Sequence, residues 1–453
     1  MMLRETLREI AEQAPSPAVP PGLFDRARRR HRRRQQWAAV AVVVLILLIG
    51  YGLSPAAPDA AQPAAGPSGL PSRVVAPPSW TEDLTRSPNG PASVVFWGPA
   101  VPNRSFHTDV STPIAVVGLT RDRYRTVYPS QASLVLSPDG RTLLLPYLHA
   151  NSPDLASTHW RTDALDLATG RSRTLATGVE PVSWSADGRH VLLVQPDRWD
   201  HPDAPAATIN DITVRVVAWP SARVEWSIHI SRPDSVEGES NFLLALSPDA
   251  TRLAVSTSRQ LRVYRGDGAI VWHRDVGWSA LAGPVAWRDG THLAVLRRDL
   301  SGAQASWYDP SHWTLEYVDP ATGDPVTGPR YPVLSSAFSV QIIAWRGETA
   351  YAVARSHPAD RPDEDQATLV RLDPGATGAP QVLTMPAGAA NLNVAADYVD
   401  VTRPAGPADF GVSTVEVFAL ALRSAGIAAI VLLLAWLWWR RRKPRIRSIP
   451  PAP

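Results

Sequence analysis

The chain has 453 residues, 45% of them apolar, with no Cys and a formal net charge of +3. That is ample material for a core, and the missing thiols exclude a disulfide framework, a thiolate metal site and a cysteine nucleophile. Residues 1–36 carry +5 and residues 440–453 carry +6, leaving the body between them at −8, a sign that repels phosphate and disfavours nucleic acid as a partner.

In chain order, residues 1–36 read as a cytoplasmic, Arg-rich leader. Leu3, Leu7 and Ile10 share one helical face there, and the basic run Arg26 to Arg34 follows. Next comes WAAVAVVVLILLIGYGL, residues 37–53, uncharged and long enough to be read as a first transmembrane helix. A cleaved signal peptide is the competing reading, but the leader is long for one and no A-x-A site follows Gly52. Residues 54–79 hold seven prolines and read as an extended Pro/Ala-rich linker.

A second apolar stretch, residues 417–439, follows a short linker at 404–416 and is broken only by Arg423. With Arg423 snorkelling at the outer end, this stretch spans the membrane too. Trp436, Trp438 and Trp439 then lie in the inner aromatic belt, ahead of the basic tail 440–453. Both basic clusters flank a span, so the positive-inside rule places both termini in the cytoplasm and the body outside the cell membrane.

Residues 80–403 show short apolar runs between turn signals, the pattern of an all-β domain. One hairpin recurs five times, as LVLSPDGRTLLL (134–145), VSWSADGRHVLLV (182–194), LALSPDATRLAVS (244–256), VAWRDGTHLAVL (285–296) and IAWRGETAYAVA (343–354). Asp tolerates the bridge region and Gly supplies positive φ in such turns. Ala250 stands where Gly140, Gly188, Gly290 and Gly347 stand in the other copies, so its turn should differ or carry strain. A second hairpin follows each copy, which makes four antiparallel strands per unit and predicts β-propeller blades. A further blade assembles from both ends, with residues 93–98 and 113–128 completed by residues 392–401. Closure of that kind removes open sheet edges. The count is six four-stranded blades, with seven as the alternative.

The pattern of SPDG (137–140) followed by a strand and then LDLATG (165–170) resembles the WD-repeat-like propeller repeat of TolB-type proteins, over about residues 92–403. The resemblance implies a propeller, most often an interaction platform, and carries over turn and core residues only. The leader resembles the Arg-rich cytoplasmic segments of actinobacterial membrane proteins linked to sigma-factor regulation.

Catalytic signatures are missing. Ser185-Ala186-Asp187-Gly188 lacks the Trp of a sialidase box, and no nucleophile elbow, P-loop, dinucleotide or H-E-x-x-H motif occurs. Asp187 read alone suggests a catalytic acid; beside Asp139, Asp249 and Asp289 it reads as a turn former. His190 and His292 hold matching places after their turns, which argues for structural equivalence. The polar cluster Asp197, Asp200, His201 and Asp203 has metal-ligand chemistry, as does RPDEDQ (361–366), yet both read as solvated loops. No catalytic, cofactor or metal residue is assigned. The expected function is a non-enzymatic, membrane-tethered scaffold that binds an extracytoplasmic protein or cell-envelope ligand. The alternative is a transmembrane regulator whose leader holds a partner such as a sigma factor.

Overall fold

The computed structural model describes residues 67–103, 113–129, 134–149, 159–196, 211–231, 243–257, 260–277, 279–299, 309–358, 361 and 364–413, together with 424, 426, 427 and 430–438. The chain divides into two compact units, residues 61–416 and residues 1–60 with 417–453. In the latter, residues 430–438 are helical and their large apolar side chains are exposed. Among the described residues no helix is long and apolar enough to cross a membrane. The expected first span 37–53, the leader 1–36, Arg423, Trp439 and the tail 440–453 lie outside the described residues.

Residues 61–416 carry six blades, each a sheet of four antiparallel strands. Written from the innermost strand outward, blade 1 is Asn391–Val394, Ala92–Trp97, Ile114–Gly118 and Tyr124–Val127. Blade 2 is Val135–Leu136, Thr142–His149, His159–Asp166 and Ser172–Thr177. Blade 3 is Glu180–Trp184, His190–Pro196, Asp211–Ala218 and Arg223–Ser231, and blade 4 is Leu243–Leu246, Arg252–Thr257, Gln260–Arg265 and Ile270–Asp275. Blade 5 is Ser279–Leu281, Leu293–Asp299, Ser311–Val318 and Pro325–Val326, with Leu334–Ala337 also paired to its third strand. Blade 6 is Ser339–Arg346, Thr349–Ser356, Gln366–Leu372 and Gln381–Leu383.

Blade 1 joins the two ends of the propeller as the sequence predicts. Its inner strand comes from the C-terminal side and pairs antiparallel with Ala92–Trp97, Val94 facing Val394 and Trp97 facing Asn391. Six blades and no seventh are present among the described residues. The closure extends further along the chain. Leu70–Pro71 runs parallel to Thr402–Arg403, and Leu70 and Val74 are buried. Part of the Pro-rich stretch 54–79 therefore packs on the propeller, because its apolar residues fill the seam between the first and last strands. Arg403 is buried beside Asp122 at 2.7 Å and donates to the carbonyls of Gly118 and Leu119. This pair fastens the C-terminal segment onto blade 1.

The recurrent turn works through its side chains. In Ser137-Pro138-Asp139-Gly140 the Ser hydroxyl donates to the Asp carboxylate at 2.6 Å, and the amide of Thr142 donates back to the Ser oxygen at 2.9 Å. Ser185 with Asp187 and His190, and Ser247 with Asp249 and Arg252, repeat both distances. Ala250 sits at φ 56°, beside 71° for Gly140 and 69° for Gly188. Its turn keeps the common geometry and carries the left-handed cost of a Cβ. The turn that differs is at Gly290, which is not left-handed; there the Arg288 amide donates to His292 at 3.1 Å.

Side chains from the blade faces pack between neighbouring blades and form the core. Trp184 and Trp345 lie at the ends of the inner strands of blades 3 and 6. Trp287 lies in the connection 282–292 of blade 5, because that blade's inner strand is Ser279–Leu281 and not the run at 285–288 that the sequence suggests. Each indole N–H donates to a carbonyl in or beside the inner strand of the preceding blade: Val135 at 3.5 Å, Ala245 at 2.9 Å and Val285 at 2.8 Å. Each buries a large apolar body and satisfies its one polar atom in the same place.

Candidate functional site: the central cavity

Strand direction gives the propeller two distinct ends. The first-to-second and third-to-fourth strand connections, including the Ser-Pro-Asp-Gly turns, all fall at one end, here the turn end. The second-to-third connections and the links between blades fall at the other, the loop end. The inner strands of blades 1, 2, 3 and 6, with Pro284 and Val285 of blade 5, line a cavity of about 410 Å³. Its polar lining includes Ser183, Ser339, Gln341, Arg355, Asn391 and Asn393, set among Trp97, Leu134, Val285 and Ile343.

Arg355 is the one charged side chain among the described lining residues. It is the next-to-last residue of a second strand, which brings it to the loop end, opposite Ser339 in the sheet register. Its guanidinium meets the Asp365 carboxylate at 2.6 Å and lies over the Phe338 ring at 5.1 Å. His357 stacks on the Phe338 ring at 4.7 Å and approaches the Asp365 carboxylate at 3.4 Å. Ring and carboxylate together fix the arginine fork, so it is pre-organised for a planar acceptor.

The amides differ in how they are used. Asn393 donates to the Leu134 carbonyl at 3.3 Å, tying blade 1 to blade 2. Gln366 clamps the Pro386 carbonyl and the Gly388 amide just behind the wall. No hydrogen bond within the described structure occupies the side-chain amides of Gln341 and Asn391, so both remain able to meet a ligand. Guanidinium and amide N–H groups donate hydrogen bonds, and amide and hydroxyl oxygens accept them. The described lining holds no carboxylate, imidazole or phenol.

The candidates from the sequence fall elsewhere. Asp187 is an acceptor in its own turn: partial burial pushes its carboxyl up, but the Ser185 hydroxyl and the Arg189 amide outweigh burial and bring it below its ordinary value. His190 and His292 each touch the aspartate of their turn, at 4.0 and 3.0 Å, and His190 reaches Glu225 at 3.1 Å. Asp197, Asp200, His201 and Asp203 lie outside the described residues. In RPDEDQ, Arg361 pairs with Glu364 at 3.2 Å, and Asp365 turns to Arg355. Among the described residues no group of three ligating side chains could hold a metal ion. No sequence pattern singles out the cavity wall around Arg355, whose one sequence signal is a charge close after the apolar run of its strand.

No family model matches the chain, and no curated protein matches it. Solved structures do. The propeller domain of the trilobed protease from Pyrococcus furiosus is similar at 12% identity over 60% of this chain and 87% of that one, TM-score 0.35. The acylaminoacyl peptidase of Pyrococcus horikoshii is similar at 13% identity over 64% of this chain and 45% of that one, TM-score 0.38. Hydrazine synthase from Kuenenia stuttgartiensis matches at 15% identity over 55% of this chain, TM-score 0.32, and the match spans 64% of that chain. The likeness is one of fold. The TolB-type resemblance rests on the repeat motifs alone.

Proposed function

We propose that the chain is a non-enzymatic, membrane-tethered β-propeller that binds a protein or cell-envelope ligand outside the cell membrane, with both termini cytoplasmic. The carrying observation is the central cavity, whose described polar groups have the chemistry to hydrogen-bond a ligand and whose paired guanidinium sits at the loop end. Inner-strand residues of blades 1, 2, 3 and 6, with Pro284 and Val285 of blade 5, make the described wall, which suits a binding platform that must not reorganise on contact. The tether reading is supported by the two apolar stretches with their basic flanks, and by a described helical run at 430–438 whose apolar side chains face outward.

The test is in vivo photo-crosslinking from Gln341 in the full chain, with Arg355→Ala as the paired variant. A discrete adduct that Arg355→Ala weakens, at unchanged melting temperature, is expected. No adduct, or one indifferent to Arg355, would remove the cavity as the binding site, and a turnover lost with Arg355→Ala would overturn the non-enzymatic reading. The regulator alternative rests on Leu3, Leu7 and Ile10, outside the described residues, and a pull-down with residues 1–36 that retains no cytoplasmic protein would discard it.

A further inference from the structure

Where the chain joins and leaves the propeller decides how the domain would stand on a membrane. At the N-terminal side, the Gly69 amide donates to the Leu119 carbonyl at 3.2 Å, and Leu70 pairs with Thr402. Residues 119–123 connect the third and outer strands of blade 1, so this junction is at the turn end. At the C-terminal side, Asp409 bridges Arg123 in the same connection, Glu82 donates to Phe410, and the Ser413 amide donates to the Trp80 carbonyl at 3.0 Å. Asp83 bridges Thr126 in parallel, which puts Trp80 on the turn side of that outer strand. Both junctions are therefore at the turn end, away from Arg355.

The exposed apolar side chains follow the same polarity. Trp80 is 44% exposed and Val412 43%, side by side where the chain leaves the propeller. Val401 is near the other junction, and Val224, Ile270 and Val271 begin outer strands on their turn side. Among the described residues of the propeller, only Val333 is a large exposed apolar side chain placed elsewhere. Tryptophan with an apolar body and one N–H donor prefers the headgroup region of a bilayer.

Tether length completes the case. The apolar stretch begins at Val417, four residues after Ser413, so the link reaches at most about 14 Å. The eight-residue strand Thr349–Ser356, which runs from turn end to loop end, is about 26 Å long. A loop end pressed to the bilayer would hold the junction farther away than that link reaches.

We propose that the turn end of the propeller rests on the outer surface of the lipid bilayer, with Trp80 and Val412 in the headgroup region, and presents the Arg355 end of the cavity away from the membrane. This rests on the tether reading above. The occupant of the turn end is lipid; a protein there is an outcome of the test.

The chain has no Cys, so single-cysteine variants of the full chain are free of background. Val412→Cys marks the turn end and Ser231→Cys, at the end of an outer strand, marks the loop end. Each carries a fluorophore in phosphatidylcholine–phosphatidylglycerol vesicles containing a nitroxide-headgroup lipid, after flotation has shown whether the chain is membrane-bound and melting has shown that it is folded. The Val412 probe should lose most of its emission and the Ser231 probe almost none, because about 26 Å of strand separates the ends. Floating protein with the Ser231 probe quenched, or with neither quenched, overturns the orientation while leaving the tether; the second result would give the turn end to a protein. A folded chain that does not float overturns the tether itself, and the orientation with it.

Discussion

Gly140 and Gly188 hold the same position of the same turn, yet replacing each by Ala should have different consequences. At Gly188 (φ 69°) a new Cβ would come no closer than 3.7 Å to Pro138. Only the left-handed backbone opposes it, at about 1–2 kcal/mol, partly offset by roughly 0.5–1 kcal/mol from a less free unfolded chain. Ala250 shows that the turn accommodates this residue at φ 56°. At Gly140 the Cβ would stand 2.1 Å from the Ala92 carbonyl oxygen, well inside the 3.0 Å limit. That oxygen is fixed because the Ala92 amide donates to Gly140 itself at 2.7 Å, at the start of the blade-closing strand. Relief means parting the two backbones, which loses a hydrogen bond of about 1 kcal/mol and adds overpacking of about 1–3 kcal/mol. Gly188→Ala should thus cost about 1 kcal/mol and Gly140→Ala about 3–5 kcal/mol. For a domain of this size that is a melting-temperature loss of about 2 °C against about 6–10 °C, read by differential scanning fluorimetry of the full chain in detergent. Equal losses, or a larger one at Gly188, would refute the claim that blade 1 closure crowds the first turn.

Arg403→Ala leaves Asp122 buried without its cation and should cost about 3–5 kcal/mol, with residues 404–413 becoming cleavable in limited proteolysis. Trp287→Phe and Trp345→Phe each remove a short inter-blade hydrogen bond and should lose about 1–3 kcal/mol in melting experiments; Trp184→Phe, whose bond is 3.5 Å, should lose less. Partial burial pushes the Asp289 carboxyl up, but Thr291 and His292 outweigh burial and hold it down at about 2. A depressed carboxyl contributes stability that is complete above its unfolded value near 3.9 and fades as pH falls towards 2. The melting-temperature gap between wild type and Asp289→Asn, modest because the site is exposed, should therefore close between pH 4 and pH 2.

The propeller was legible because its unit repeats. Five similar hairpin sequences, each rich in strand-forming residues, mark the blades, and the unpaired runs at residues 93–98 and 392–401 mark the closing blade. Asp187 was readable as a turn residue for the same reason, since Asp139 and Asp249 make the same bonds. The docking of Leu70 and Val74 was hidden because seven prolines dominate the composition of that stretch, while two apolar side chains suffice to seat it. The Ala250 turn kept its geometry because the Ser247–Asp249 bond and the flanking strands outweigh the strain of one Cβ. Arg355, Phe338 and Asp365 come together only when two neighbouring strands and their connection are folded, so no local pattern announces the group.

The proposed arrangement holds the propeller outside the membrane between two cytoplasmic tips. Its most direct test is labelling of single-cysteine variants in intact cells with a membrane-impermeant maleimide. Ser231→Cys should label at once, whereas cysteines placed in residues 1–36 or 440–453 should label only after permeabilisation. A Ser231→Cys variant that stays silent until the membrane is opened would contradict the account.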